Sequence, residues 1–133
     1  MGSLSKRKIL VIDDLVINRE ILADALESPE YEVHTAENGL EGLKLLAEGL
    51  NPCVIYCDLD MPVLNGQGFC RALRADPKIA HIPVIIVSGN PDIEDIAFEV
   101  GATTYLPKPV SGRQLRGTLF ELEAASNLIE GHS

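Results

Sequence analysis

Five short apolar runs recur along the chain, each separated from the next by a segment of helical periodicity, and this alternation constrains the fold more than any other feature. The runs are residues 9–12, 33–36, 54–57, 84–87 and 104–106. Short β-branched, apolar runs bounded by turn residues read as buried strands. Between them the apolar spacing becomes helical. Ile17, Ile21, Leu22, Ala25 and Leu26 predict an inward stripe on the first helix, ended by Ser28-Pro29. Leu40, Leu43, Ala47 and Leu50 predict a second, and Phe69, Cys70 and Leu73 a third. Ile93, Ile96, Ala97 and Val100 predict a fourth, with Asn90 as its cap and Gly101 as its stop. Ser111 and Gln114 have the spacing of a capping box, from which Leu115, Leu119 and Leu122 point inward along a fifth helix.

Strict strand–helix alternation implies a parallel sheet with helices on both faces, because a parallel connection must cross over the sheet. The expected class is therefore α/β, a flavodoxin-like doubly wound sheet of five strands in the order 2-1-3-4-5 with five helices. One domain is expected over residues 8–125. Residues 1–7 and 126–133 read as flanking, since Met1-Gly-Ser-Leu4 and Glu130-Gly-His-Ser133 resemble residues added for expression. The chain then reads either as a stand-alone protein or as one domain of a larger one.

In such sheets ligands bind beyond the carboxyl ends of the strands, near the point where strand order reverses. Asp13 and Asp14 follow strand 1, Asp58 follows strand 3, Ser88 follows strand 4 and Lys108 lies just past strand 5. Taken singly, each has a plain explanation: an acidic pair caps helices, and a lone lysine is usually solvated surface. Their joint placement on the ligand edge points to chemistry. Clustered carboxylates repel one another, and a hard divalent cation such as Mg²⁺ relieves that repulsion through oxygen ligands. A carboxylate nucleophile, a lysine and a hydroxyl beside such a cation suit phosphoryl transfer, where positioning and charge stabilisation supply most of the catalysis.

The net charge of −9 argues against nucleic acid, whose phosphates need clustered Lys and Arg. No apolar run approaches the ~20 residues of a membrane-spanning helix. The basic start meets Asp13 and Asp14 too soon for a signal peptide, so neither membrane insertion nor export is expected and the compartment reads as cytoplasmic. Cys53, Cys57 and Cys70 lack zinc-site spacing and read as structural, and His34, His81 and His132 are scattered.

With those residues placed, the chain resembles the response-regulator receiver family from about Lys8 to Leu122. The resemblance rests on Val11-Ile-Asp-Asp14, Asp58-Leu-Asp-Met-Pro62, Asn65-Gly66, Val87-Ser-Gly89, Gly101-Ala102 and Tyr105-Leu-Pro-Lys-Pro109. It implies that Asp58 accepts a phosphoryl group from a sensor histidine kinase or a phosphotransfer protein. Asp14, Asp58 and the backbone carbonyl of Asp60 would bind Mg²⁺ (Mn²⁺ being an alternative), with Asp13 acting mainly through water. Lys108 would hold the phosphoryl oxygens, Ser88 would swing to bond them, Tyr105 would turn inward, and the bond before Pro109 would be cis. Ser88 stands where threonine is commoner and Asn65 where aspartate is, while Asp60 and Asn90 would tune phosphoryl lifetime. The resemblance also implies self-phosphorylation and self-dephosphorylation rather than turnover of a separate substrate.

On that reading phosphorylation reshapes the surface of helix 4, strand 5 and helix 5, with Arg113 and Arg116, for an output domain, a partner or a homodimer. Three other readings stand beside it. Asp58-Leu-Asp60 also matches the nucleophile and acid of a haloacid dehalogenase-type phosphohydrolase, although that motif normally ends the first strand. A flavodoxin would need a Ser/Thr/Gly-rich phosphate loop where Asp13-Asp14 stand. A receiver that works only as a phosphorylation-independent scaffold would not need the acidic set. Tyr105 could equally be ordinary strand packing.

Overall fold

The computed structural model describes residues 6–130, excluding the side chains of 126–130; residues 1–5 and 131–133 of the expected flanks lie outside it. The strands are β1 (Arg7–Ile12), β2 (Tyr31–Ala36), β3 (Val54–Cys57), β4 (Val84–Ser88) and β5 (Thr104–Pro107). The helices are α1 (Val16–Leu26), α2 (Gly39–Ala47), α3 (Gly66–Ala75), α4 (Ile93–Glu99) and α5 (Gly112–Glu130). All strand pairs are parallel and the order is β2-β1-β3-β4-β5, the doubly wound arrangement expected.

Successive side chains of a strand point to opposite faces, so the central strands feed two cores. Leu10, Ile12, Ile55, Cys57 and Ile86 meet Phe69, Cys70 and Leu73 of α3 on one face. On the other, Ile9, Val11, Tyr56, Ile85 and Val87 meet Leu22 and Leu26 of α1 and Leu115 and Leu119 of α5. The Tyr56 hydroxyl, fully buried, donates to the Leu115 carbonyl oxygen at 3.1 Å, tying β3 to α5. β2 and β5 form the sheet edges and are only partly buried, consistent with their more polar sequences. All three cysteines are free thiols, Cys57 and Cys70 buried and Cys53 half-buried.

Three local expectations need correction. On α1 only Leu22 and Leu26 are buried, whereas Ile17 and Ile21 are 57% and 53% exposed. The five residues assigned to one stripe span about half the helix circumference, more than a single sheet face can cover. On α2 the buried face is Gly39, Gly42 and Leu46, with Leu43 and Leu50 partly buried, while Leu40 and Ala47 face solvent. The glycines set this face by proximity: a Cβ on Gly42 would lie 2.6 Å from Ile12 Cδ1. A hydrophobicity pattern does not register residues that lack side chains. Finally, Asn90 does not cap α4; its Oδ1 accepts from the Asp92 N–H at 2.8 Å in a preceding turn, and Asp92 occupies the cap position. Gly101 does stop α4, in the left-handed conformation at φ +72°. The capping box of α5 is formed as expected, with Ser111 N–H to Gln114 Oε1 at 2.8 Å and Gln114 N–H to Ser111 Oγ at 3.1 Å.

Candidate functional site

Parallel register brings the ends of β1, β3, β4 and β5 to one edge of the sheet, and the chain leaves each strand there through a polar residue. Asp13 and Asp58 are buried, with relative exposures of 2% and 8%, and Ser88 is fully buried. Asp14 is the most open of the acidic set. One carboxylate oxygen from each of Asp13, Asp14 and Asp58 lies within 4.8 Å of the others, the cluster of potential metal ligands among the described residues. Lys108 reaches in from the end of β5, its Nζ 3.4 Å from Asp13 Oδ2 and 3.7 Å from Asp58 Oδ1. Its backbone N–H donates to the Ser88 carbonyl at 2.9 Å, which fixes the start of the loop, and the Lys108–Pro109 peptide is cis.

Neither aspartate of the pair caps α1. The N-cap is Leu15, without a side-chain bond, and Asp13 Oδ1 accepts from the Leu15 N–H at 3.0 Å. Asn18 Nδ2 approaches both Asp13 oxygens at 3.4 Å, and Arg19 donates to the Asp13 carbonyl at 2.7 Å. Sequence reasoning missed Asn18 and Arg19. Their spacing from Asp13, one turn into a helix that curls back over the strand end, was the only available signal.

Asp58 Oδ1 accepts from the Leu59 N–H at 2.8 Å. Burial pushes the Asp58 carboxyl above its ordinary range; Lys108 draws it down, Asp13 and Asp60 push it up further, and the net direction is upward. Asp60 itself is exposed, and Ser88 Oγ accepts from the Asn90 N–H at 3.1 Å. Tyr105 is half-buried against the α3/α4-side core, and burial together with the neighbouring Glu94 carboxylate raises its phenol. Asn65 caps α3, accepting from the Gly68 N–H at 2.8 Å, and Gly66 lies against the backbone of Asp58 and Leu59.

The sequence profile of the response regulator receiver domain matches residues 9–120. The chain belongs to this family. Receiver domains accept phosphoryl groups in two-component signalling and typically bind Mg²⁺ at an acidic pocket; in this chain Asp13, Asp14 and Asp58 form an acidic cluster. The chain is 36% identical over 121 residues to a probable transcriptional regulator, ycf27, of Cyanophora paradoxa, covering 90% of this chain and 49% of that protein. It is 37% identical over 105 residues to the response regulator PleD of Caulobacter vibrioides, covering 77% of this chain and 23% of that one. The receiver thus spans about half, or less, of the length of these curated relatives. Among solved structures, the chemotaxis response regulator CheY4 of Vibrio cholerae superposes with a TM-score of 0.79 at 31% identity, covering 89% of this chain and 99% of that one.

Proposed function

We propose that this receiver is a switch phosphorylated on Asp58. The observation that carries the reading is the convergence of Asp13, Asp14 and Asp58 with Lys108 and Ser88 on one edge of the sheet. The donor set suits Mg²⁺: three carboxylates supply hard oxygens in close proximity, and a single lysine offsets only part of their charge. Asp14, Asp58 and the Asp60 carbonyl would hold the ion, with Asp13 beside it, and Mn²⁺ fits the same ligands. When bound, the ion neutralises the carboxylates and the incoming phosphoryl oxygens.

The rest of the work falls to the protein. A carboxylate oxygen of Asp58 attacks phosphorus, and the bond from phosphorus to the donor's imidazole nitrogen breaks as the new P–O bond forms. The departing nitrogen keeps the electron pair. Lys108 Nζ already sits between Asp13 and Asp58 and pairs with the transferred group. Ser88 gives up its acceptor role toward Asn90 and turns its hydroxyl to the phosphoryl oxygens. Tyr105, beside Glu94 at the start of α4, moves inward behind it, and the face of α4, β5 and α5 changes. An output domain or a second copy reads that face, with Arg113 and Arg116 exposed on α5.

The phosphodonor is a histidine kinase or a phosphotransfer protein. Leu15, Val16, Ile17 and Ile21 support this, since four large apolar side chains stand exposed along the segment that follows Asp13 and Asp14 in the chain. No helix among the described residues is long and apolar enough to cross a membrane. We infer a cytoplasmic location from the family's role in two-component signalling. Intact-mass analysis with Mg²⁺ and acetyl phosphate tests the reading. One Mg²⁺-dependent phosphoryl addition is expected, labile to hydroxylamine and missing from Asp58→Asn. Full labelling of that variant would overturn the assignment.

A further inference from the structure

Asp13, the residue after β1, is buried, so each of its polar groups needs a partner within the protein. Its N–H donates to the Ala36 carbonyl at 3.1 Å, continuing the β1–β2 ladder by one bond. Its carboxylate accepts from the Leu15 N–H at 3.0 Å, the Asn18 amide at 3.4 Å and Lys108 Nζ at 3.4 Å. β2 ends at Ala36, so the Asp13 carbonyl meets no strand donor. Arg19 supplies one, with Nη1 2.7 Å from that carbonyl oxygen.

A cationic side chain therefore stands beside three carboxylates, yet among the described residues it pairs with none of them and bonds the main chain instead. Such a charge-assisted bond is roughly twice as strong as a neutral one. It is also delivered from firm support. Leu22 and Leu26 anchor α1 in the core, and the Arg19 N–H closes the first turn onto the Leu15 carbonyl at 3.1 Å.

The Asp13 carbonyl and the nitrogen and Cα of Asp14 belong to one rigid peptide plane. Holding the carbonyl sets the direction in which Asp14 leaves the strand. The Asp14 side chain lacks direct support: it is half-buried, and its carboxylate makes no hydrogen bond or ion pair among the described residues. We propose that Arg19 is a positioning residue for the metal site, aiming Asp14 through the Asp13–Asp14 peptide plane. This rests on the Mg²⁺ reading above, with Asp14 as a ligand. Satisfying a buried carbonyl is the lesser role, and by itself it predicts lost stability with unchanged metal affinity.

The test is an amide NMR titration of the whole chain with MgCl₂, on wild type, Arg19→Met, Arg19→Lys and Arg74→Ala. Methionine keeps an unbranched stem but has neither the donor nor the charge. Arg19→Met should bind Mg²⁺ about tenfold more weakly, as losing a group that orients a metal ligand does. Charge alone predicts the opposite sign, since removing a cation beside the pocket strengthens binding of another. Arg19→Lys can still place one N–H on the carbonyl and should recover most of the affinity. Without Mg²⁺, the Asp14 amide nitrogen resonance, which reports the bond to the preceding carbonyl, should move in Arg19→Met and return toward wild type in Arg19→Lys. Arg74→Ala loses carbonyl bonds before β4 and β5, at the other end of the sheet, and should lose stability while keeping Mg²⁺ affinity. Arg19→Gln, whose shorter side chain withdraws the donor, repeats the measurement should Arg19→Met not fold. Arg19→Met binding as tightly as wild type or tighter, or Arg74→Ala weakening Mg²⁺ equally, would overturn the proposal. A wild type without saturable shifts at Asp14 and Asp58 would instead overturn the Mg²⁺ reading, and the proposal with it.

Discussion

Gly66, at the start of α3, stands against the Asp58–Leu59 backbone that follows β3, and replacing it with alanine isolates what that contact does. A Cβ at this position would lie 2.3 Å from the Asp58 carbonyl oxygen, 2.9 Å from Leu59 Cα and 3.1 Å from the Asp58 carbonyl carbon. All three are backbone atoms, so no side chain can rotate away. The Gly66 N–H also donates to the Leu59 carbonyl at 3.0 Å, and this bond must stretch if the segments part. Overpacking by one carbon costs about 1–3 kcal/mol, and the rigid neighbours put Gly66→Ala toward the upper end. Gly117, exposed on α5 with nothing within 4 Å of its would-be Cβ, supplies the comparison. There alanine should gain up to about 1 kcal/mol from helix propensity alone. The two variants should therefore differ by about 3 kcal/mol in urea unfolding, or roughly 10–15 °C in Tm. The displaced Asp58 backbone should also weaken Mg²⁺ binding in Gly66→Ala and not in Gly117→Ala. If Gly66→Ala matched the wild type in both stability and Mg²⁺ affinity, the close approach would not constrain the site.

Three further outcomes follow from the geometry. Because the folded protein raises the Asp58 carboxyl, that group's contribution to stability is present below the unfolded carboxylate pKa and is lost as pH rises through the folded value. Asp58→Asn should thus be more stable than the wild type at neutral pH without divalent metal, and the advantage should shrink on acidification; a pH-independent difference in urea unfolding would contradict this. Arg74 donates to the carbonyls of Gly101, Ala80 and Ile82 at 3.0, 2.8 and 2.8 Å, joining α3 to the α3–β4 and α4–β5 loops, so Arg74→Ala should cost about 2–3 kcal/mol, measured by thermal or urea unfolding. Ile17→Asp and Ile21→Asp should leave folding and acetyl phosphate labelling intact while slowing transfer from a phosphohistidine protein at least tenfold, as read in a time course with each donor.

The sequence made the sheet legible because its central strands hold continuous apolar runs, a consequence of burial on both faces: Ile9–Ile12 of β1, all of β3, and β4 up to Ser88 carry no charged residue. It also exposed Asp13, Asp14, Asp58, Ser88 and Lys108 as a group, since each ends or follows a strand and parallel topology sends all those ends to one edge. Local hydrogen bonding was readable in part: the Ser111–Gln114 box forms as expected, whereas Asn90 bonds within the turn before α4 instead of capping it.

What only the tertiary structure decided were distances between segments far apart in the chain. The approach of Lys108 to Asp13 across 95 residues, and the net upward push on Asp58 from burial against Lys108, depend on how closely the strands and loops pack. Helix facing was decided the same way. Ile17 and Ile21 are as apolar as Leu22, yet they remain outside, while Gly39 and Gly42 are inside because the absent side chain lets α2 settle on β1 and the β3–α3 loop. Apolar periodicity reports what a residue can bury. Which residues are buried follows from the space the neighbouring elements leave, and that is a property of the packed whole.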